Sequence, residues 1–148
     1  MALIDLVTPE VIKVPLLSTT KSGVLEELTE LLVTAGKIEE AAPVLDALQQ
    51  RESLGSTGLE KGIAVPHCKT SAVSTITLAL GIAPDGIEFE AIDGQPSTLF
   101  FCMLAPPDQS GPHIEALSEI ARLTQSQSFC RLLMASRSPN EVVELFRD

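Results

Sequence analysis

The sequence predicts an α/β fold, with one layered domain over residues 1–148, and two observations predict it. Apolar residues recur at helical spacing near both ends of the chain, whereas the middle carries short apolar runs bounded by glycine and proline. The hydrophobic fraction of 45% allows the chain to bury a sizeable core. Helices at both ends of a strand-rich middle indicate layers of helix packed on a sheet.

The N-terminal region predicts a strand followed by a helix. Valine and isoleucine dominate residues 11–17, which favours a strand, and Pro15 favours a position at the edge of a sheet. Residues 18–20, Ser-Thr-Thr, offer caps for a helix that we expect to end at Gly36. Its expected core face is Leu25, Leu28, Leu32 and Ala35.

A second helix is expected to begin near Pro43 and to end at Arg51 or Glu52, since proline suits a first helical turn. Its expected core-facing residues are Val44, Leu45 and Leu48. Glycine-rich turns follow at residues 55–58 and at Gly62.

The middle of the chain predicts three strands. Residues 63–65 form a short apolar run, and residues 75–83 carry so little charge that they indicate a central strand. Pro84-Asp85-Gly86 is expected to end that strand, and Asp93-Gly94 marks a further turn. Residues 97–105 predict another buried strand.

The C-terminal third predicts three helices. Gly111-Pro112 opens the first, and a short helix is expected around residues 129–134. The first of them is expected to bury Ile114, Leu117, Ile120 and Ala121. Residues 138–141 combine a capping box with Pro139 at the first position of the last helix.

Charge and composition exclude several classes of function. The net charge is −10, and the chain has no Trp, no Tyr and only five Phe, so it lacks the basic face or stacking aromatics of a nucleic-acid binder. No apolar stretch is long enough to cross a bilayer, and residues 1–7 lack the basic region of a secretory signal. We therefore expect a cytoplasmic protein without direct membrane insertion. Its acidity suits a basic protein partner, or serves solubility alone.

The two histidines of the chain both lie in informative places. His67 follows a predicted strand and a proline, beside the glycine-rich segment. His113 falls at the second position of a helix opened by Pro112. Free N–H groups and a partial positive charge at a helix start favour phosphate and disfavour a protonated imidazole.

Further donors precede His67 in the sequence. Arg51 can hold a phosphoryl group through two parallel hydrogen bonds, and the hydroxyls and amides of Ser56, Thr57 and Gly58 can add more. Taken singly, each of these groups is better explained as an ordinary helix end or surface turn. Together they supply the parts needed to hold a phosphoryl group without a metal.

Residues 51–67 read RESLGSTGLEKGIAVPH, which resembles the active-site motif of one class of phosphotransferase-system IIA domains, the type 2 class of fructose, mannitol and nitrogen-regulatory proteins. The resemblance continues at residues 89–96 and 105–109, and His113 falls where the family has its second histidine. It therefore covers nearly the whole chain. It implies a mixed β-sheet flanked by helices on both faces.

The resemblance also implies roles for individual residues. His67 matches the phosphorylated histidine, which uses Nε2, and His113 matches the histidine that orients it and donates to the phosphoryl group. Arg51 matches the arginine that pairs with phosphate, whereas Glu52 is expected to be structural. The polar turn beside them is Ser56, Thr57 and Gly58. The implied donor is HPr or a nitrogen-branch carrier, the acceptor is a IIB domain or a regulatory target, and no cofactor is expected.

Three readings of function remain open from the sequence: sugar uptake, nitrogen-type regulation, and a binding module that is not phosphorylated. Because the 148 residues hold no IIB or IIC segment, we expect those partners on separate chains, which favours regulation slightly. Glu60, Cys68 and Glu115 depart from the commonest family pattern, and the two glutamates are expected to bear on the choice of partner.

Cysteine and metal chemistry are disfavoured by residue spacing. Cys68, Cys102 and Cys130 cannot all pair within one chain and form no CxxC pair, which suits a reducing compartment. A thiol nucleophile at Cys68 is disfavoured. A metal site built from His67, Cys68 and His113 would match no standard zinc spacing.

Overall fold

The computed structural model describes residues 2–147, and over this range the chain forms five helices and one five-stranded sheet. The strands are β1 (Ile12–Lys13), β2 (Ile63–Ala64), β3 (His67–Lys69), β4 (Thr77–Ile87) and β5 (Ser97–Ala105). The helices are α1 (Lys21–Thr34), α2 (Ala41–Ser53), α3 (Ser110–Thr124), α4 (Gln127–Ala135) and α5 (Pro139–Arg147). Single 3₁₀ turns at Leu3–Leu6 and Pro9–Val11 precede β1.

The sheet is mixed, as the family resemblance implies. Its order is β1-β4-β5-β2, and β3 pairs with β5 beyond β2, on the same side of that strand. β4 and β5 are antiparallel in the register Leu80 with Phe101, whereas β1 pairs with β4 in parallel, and β2 and β3 pair with β5 in parallel. β1 lies at the edge, as Pro15 predicted, but the strand covers only two residues of the expected 11–17.

Helices cover both faces of the sheet because β4 and β5 bury alternate residues on opposite sides. Phe100 and Cys102 pack with Leu28 of α1 and Leu48 of α2. Phe101, in the adjacent position of β5, belongs to the opposite core. That second core is completed by Ile120 of α3, Leu133 of α4 and Val142 of α5. The α/β prediction with two helical layers is confirmed.

Both N-terminal helices follow their sequence signals closely. Thr20 caps α1, since its Oγ1 accepts a hydrogen bond from Gly23 N at 3.1 Å, and Gly36 ends the turn after α1 with a φ of 75°. α2 begins at Ala41, slightly before Pro43. Leu25, Leu28, Leu32, Val44 and Leu48 are buried, whereas Ala35 and Leu45 are half-buried.

Residues 84–86 do not end the central strand, contrary to the prediction. β4 continues to Ile87, with a shift in its pairing to β5 between Ile82 and Ile87. Such an irregularity bends a strand and relieves its ladder, so the missing N–H of Pro84 is tolerated. Pro84 and Asp85 are exposed, which places this turn-like sequence outside the core.

The predicted core face of α3 is wrong in two of its four residues. The helix begins at Ser110, Ile114 is 61% exposed, and Ala121 is exposed as well. His113 and Ile120 are buried instead, with Leu117 half-buried between them. His113, Leu117 and Ile120 are spaced by four and then three residues, so they lie on one face of the helix. Ile114 and Ala121 each come one residue after a member of that face, and the helical turn of about 100° per residue directs them away from the core.

The last two helices begin at serine caps, of which the sequence predicted the one at Ser138. Ser126 Oγ accepts from Phe129 N at 3.2 Å at the start of α4, and Ser138 Oγ accepts from Glu141 N at 3.2 Å at the start of α5. Among residues 2–147, no helix has both the length and the apolar character that a bilayer crossing requires.

Candidate active site

His67 begins β3 and lies beside β5, opposite Met103. Val65 and Pro66 separate it from β2, and Met103 N donates to the carbonyl of Pro66 at 2.9 Å. The Nδ1 atom of His67 lies 2.7 Å from the backbone oxygen of Val65. Because a carbonyl can only accept, Nδ1 must carry the proton, and Nε2 is left with a free lone pair. This local contact leaves Nε2 as the ring nitrogen whose lone pair is free to form a bond.

His113 meets His67 across the site from α3. The two ring centroids are 5.5 Å apart and tilted by 47°. His113 is only 7% exposed, and its Nδ1 has no hydrogen-bond partner among residues 2–147. A buried polar atom of this kind, held next to a second imidazole, is placed to serve a group that arrives from outside.

Burial, more than the helix start, keeps His113 neutral. Its pKa is lowered first by desolvation and then by the nearby charges of His67 and Lys69. The helix begins at Ser110, so His113 is its fourth residue and not its second, and its backbone N–H already donates to Gln109 O at 3.1 Å. The predicted direction of the pKa shift holds, but its leading cause differs.

A cavity of about 200 Å³ lies next to His67 and joins three parts of the chain. The lining includes Arg51 from α2, Ser56 and Thr57 from the following loop, and Ile120 from α3. Arg51 Nη1 donates to Gly55 O at 2.8 Å, which orients the guanidinium and leaves further donors of its fork. The Arg51 guanidinium, the His67 imidazole and apolar side chains such as Ile120 therefore line the same small cavity.

The hydroxyls predicted to bind phosphate already use their donors within the protein. Ser56 Oγ donates to Phe89 O at 2.7 Å and accepts from Gly58 N at 3.0 Å. The N–H of Thr57 donates to Glu52 Oε1 at 3.1 Å, and the Thr57 hydroxyl donates to Oε2. Direct contact between these groups and a phosphoryl oxygen would require those bonds to break. In this structure they shape the loop, and both carboxylate oxygens of Glu52 hold it at Thr57.

Cys68 points away from the site because neighbouring residues of a strand face opposite sides. Its side chain lies in the core under α1 and α2, and burial raises the pKa of its thiol to about 11. Cys68 therefore cannot join His67 and His113 around a metal, and residues 2–147 present no group of three or more potential metal ligands. Glu115 is exposed and lines a different, smaller cavity of about 80 Å³.

Two lysines near the site, Lys69 and Lys21, were not predicted from the sequence to have a role. Lys69 Nζ donates to Ser110 Oγ at 2.7 Å and so ties β3 to the start of α3. Its spacing of two from His67 on one strand was an available signal, since it places both on one face. Lys21 forms ion pairs with Glu52 at 3.0 Å and with Glu90 at 3.1 Å. No local pattern predicts those contacts, because they join distant segments.

Comparison with protein families finds one match over almost the entire chain. The model of the family described as "Phosphoenolpyruvate-dependent sugar phosphotransferase system, EIIA 2" matches residues 5–148. That range contains both histidines, Arg51 and the whole of the motif at residues 51–67.

Curated relatives fall into two groups by name. The chain is 34% identical to the fructose-specific EIIA component of Haloferax volcanii, covering 98% of this chain and 95% of that protein. It is 37% identical to the nitrogen regulatory protein of Bradyrhizobium diazoefficiens, with coverages of 96% and 92%. The fructose-specific EIIABC component of Bacillus subtilis is 33% identical over 98% of this chain, which spans only 23% of that longer protein.

Solved structures reproduce the fold. The nitrogen regulatory protein IIA-Ntr from Neisseria meningitidis superimposes with a TM-score of 0.88 at 32% identity, covering 96% of this chain and 97% of that one. The mannitol enzyme IIA of Escherichia coli, solved in complex with phosphorylated enzyme IIB, gives a TM-score of 0.79 at 25% identity, with coverages of 95% and 96%.

Proposed function

The chain belongs to the EIIA 2 family of the phosphoenolpyruvate-dependent sugar phosphotransferase system, whose IIA domains carry phosphoryl groups, and from this premise we propose that it carries one on Nε2 of His67. The observation that supports the proposal is the position of His67 beside His113, with their ring centroids 5.5 Å apart, next to the cavity that Arg51 lines. The bond from Nδ1 to Val65 O leaves Nε2 as the free nucleophile.

The proposed step exchanges one nitrogen–phosphorus bond for another. The lone pair of His67 Nε2 attacks the phosphorus of a phosphohistidine on an HPr-like or nitrogen-branch carrier. The bond between phosphorus and the carrier's imidazole breaks, and its electron pair returns to that ring. Positive charge develops on the His67 ring, and the Val65 carbonyl stabilises it through the proton on Nδ1. Donor and acceptor are both imidazoles, so the step is close to balanced and reversible.

Arg51 and His113 would stabilise the transition state. Phosphoryl transfer spreads charge over three equatorial oxygens, and hydrogen-bond donors fixed around them lower the barrier. Arg51 offers a planar fork already oriented by Gly55, and His113 offers a neutral, buried ring. A docked carrier would close the site to water, which strengthens each of these interactions.

We assign the chain a regulatory role of the nitrogen type ahead of one in sugar uptake. The nitrogen regulatory relative shares 37% identity and the Neisseria IIA-Ntr structure fits with a TM-score of 0.88, which favours this choice. Sugar uptake is the second candidate, because the fructose-specific relative is 34% identical over a similar span. In that case the acceptor would be a IIB domain, the partner seen with the mannitol enzyme IIA.

The cytoplasm is the compartment we propose for either role. The three cysteines are all unpaired, which fits a reducing environment. The net charge of −10 fits a carrier with a basic docking face, since opposite charges speed the encounter.

Phosphorylation by purified components tests the proposal. The protein is incubated with phosphoenolpyruvate, enzyme I and each carrier, and labelling is followed by mass spectrometry and phosphorus NMR. His67→Gln should remove the label entirely, and His113→Gln should fold normally but slow transfer by roughly 100-fold, as loss of one oriented donor does. Faster labelling by the nitrogen-branch carrier supports regulation, and onward transfer to IIB supports uptake. A wild-type protein that neither carrier labels would be a binding module instead.

A further inference from the structure

Lys21, the first residue of α1, lies between two carboxylates and an aromatic ring. Its Nζ is 3.0 Å from Glu52 Oε1, 3.1 Å from Glu90 Oε1 and 4.8 Å from the centroid of the Phe89 ring. Lys21 of α1 therefore contacts two other parts of the chain, the end of α2 and the segment that precedes β5. Nothing in the proposed transfer step uses this lysine.

Glu52 connects Lys21 to the loop that lines the site. The Glu52 Oε1 atom bound by Lys21 also accepts the N–H of Thr57 at 3.1 Å, and Oε2 accepts the Thr57 hydroxyl. Both carboxylate oxygens are thus in use. Arg51, the neighbour of Glu52 on α2, holds Gly55 O at 2.8 Å. Two consecutive helical residues therefore fix the loop at residues 55–57 from one side.

The Glu52 carboxylate needs a compensating charge because it is almost completely buried. Its side chain is 6% exposed and that of Lys21 is 19% exposed, whereas Glu90 is 74% exposed. A buried carboxylate that loses the cation beside it is driven to turn toward water. That movement would break its bonds to Thr57 and free the loop to move.

Lys21 does not line the cavity that contains His67. It lines a separate cavity of about 390 Å³ together with Thr20, Leu25 and Glu52. Any effect of Lys21 on the transferred phosphoryl group must therefore be indirect, and Glu52 with Thr57 forms a chain of polar contacts that can transmit it.

We propose that Lys21 is a positioning residue of the phosphoryl-transfer site, which holds the Glu52 carboxylate in place and through it fixes the loop of Ser56 and Thr57 beside His67. This inference rests on the proposed function. Phe89 reinforces it from the opposite side, because its ring contacts the Lys21 cation and its carbonyl accepts the Ser56 hydroxyl. Glu90 contributes little, since exposed ion pairs are weak.

The test compares Lys21→Met with Lys21→Arg and with Lys37→Met. Methionine keeps the length of the side chain but not its charge, and arginine restores the charge. Lys37 is exposed in the turn after α1, so Lys37→Met makes the same change in net charge without touching the loop. Two quantities are measured for each folded variant: kcat and KM for transfer from the carrier, and the hydrogen-exchange rate of the Thr57 amide by NMR.

Lys21→Met should lower kcat by about 10- to 100-fold, the cost of a displacement of the order of 1 Å near reacting groups, with KM for the carrier unchanged. Thr57 should exchange faster, Lys21→Arg should restore most of both values, and Lys37→Met should match wild type. Wild-type kcat and Thr57 exchange in Lys21→Met would overturn the inference, and so would a loss of thermal stability alone.

Two further measurements keep the inference separate from its premise. If the wild type is not labelled by any carrier, the proposed function fails, whereas Thr57 exchange in Lys21→Met still shows whether the lysine orders the loop. If Lys21→Met does not fold, Glu52→Gln removes the charge at the other end of the pair while keeping its shape. It should also lower kcat and speed Thr57 exchange, and unchanged values there would refute the role of the ion pair.

Discussion

Replacing Gly58 by alanine should destabilise the protein and displace the loop beside His67. A Cβ atom at position 58 would lie 2.9 Å from Ala91 Cα and 3.1 Å from Phe89 O. Both of those atoms are backbone, so no flexible side chain can swing aside to make room. The segments must separate, and because Gly58 N donates to Ser56 Oγ, the movement reaches the cavity wall.

The expected size of the effect follows from this contact. Overpacking one methyl group into a tightly packed site costs about 1–3 kcal/mol. For a chain of this length each kcal/mol shifts Tm by about 2–4 °C, so Gly58→Ala should lower Tm by about 2–12 °C. Thermal unfolding followed by circular dichroism measures this shift. Phosphorylation of the folded variant should also be slower, since Ser56 and Thr57 move with the loop.

Gly111→Ala is the matched control, because the same methyl group meets open space there on α3. It should change the free energy of unfolding by less than about 1 kcal/mol, since the restriction that alanine places on the unfolded chain is offset by the crowding of its Cβ against the ring of Pro112. Gly58→Ala should therefore lower Tm by more than Gly111→Ala does. If Gly58→Ala unfolds at the wild-type temperature, the close packing of Gly58 against residues 89–91 is wrong.

Two further predictions concern α3. The lowered pKa of His113 means that, as pH falls below about 6.5, the unfolded chain binds a proton that the folded protein disfavours, so stability should drop. Urea unfolding at about pH 7.5 and 5.5 should show a smaller drop for His113→Gln than for wild type, and equal drops would contradict a neutral buried ring. Ile120→Ala should cost about 2–5 kcal/mol because Ile120 is 1% exposed. Ile114→Ala should change stability by less than about 0.5 kcal/mol, and comparable losses at both positions would disprove the observed face of α3.

The architecture explains how two histidines that are distant in the sequence come to lie side by side. β3 and α3 come from separate parts of the chain and bring His67 and His113 together at the border of the second core. The Val65 carbonyl fixes the tautomer of one ring, and burial holds the other neutral. Each histidine thus obtains its protonation state from a different physical cause.

The sequence alone determined the elements and the identity of the motif. Helix caps at Thr20 and Ser138 could be predicted because each capping side chain bonds to an amide only three residues further along. The limits of β5 were predicted without error, since a long uncharged run between turns has few alternatives. The α/β class followed from the order of these segments, and the residues at 51–67 marked the family.

Tertiary structure alone decided how those segments meet. Tertiary packing decides which face of α3 is buried, and it extends β4 beyond Pro84. It also places the Ser56 and Thr57 hydroxyls where they donate to Phe89 O and Glu52. It also joined Lys21 to Glu52 and set His113 against His67. The physical reason is one of range: periodicity and capping depend on neighbours within a few residues, whereas burial and ion pairing depend on groups that are close only after the chain has folded.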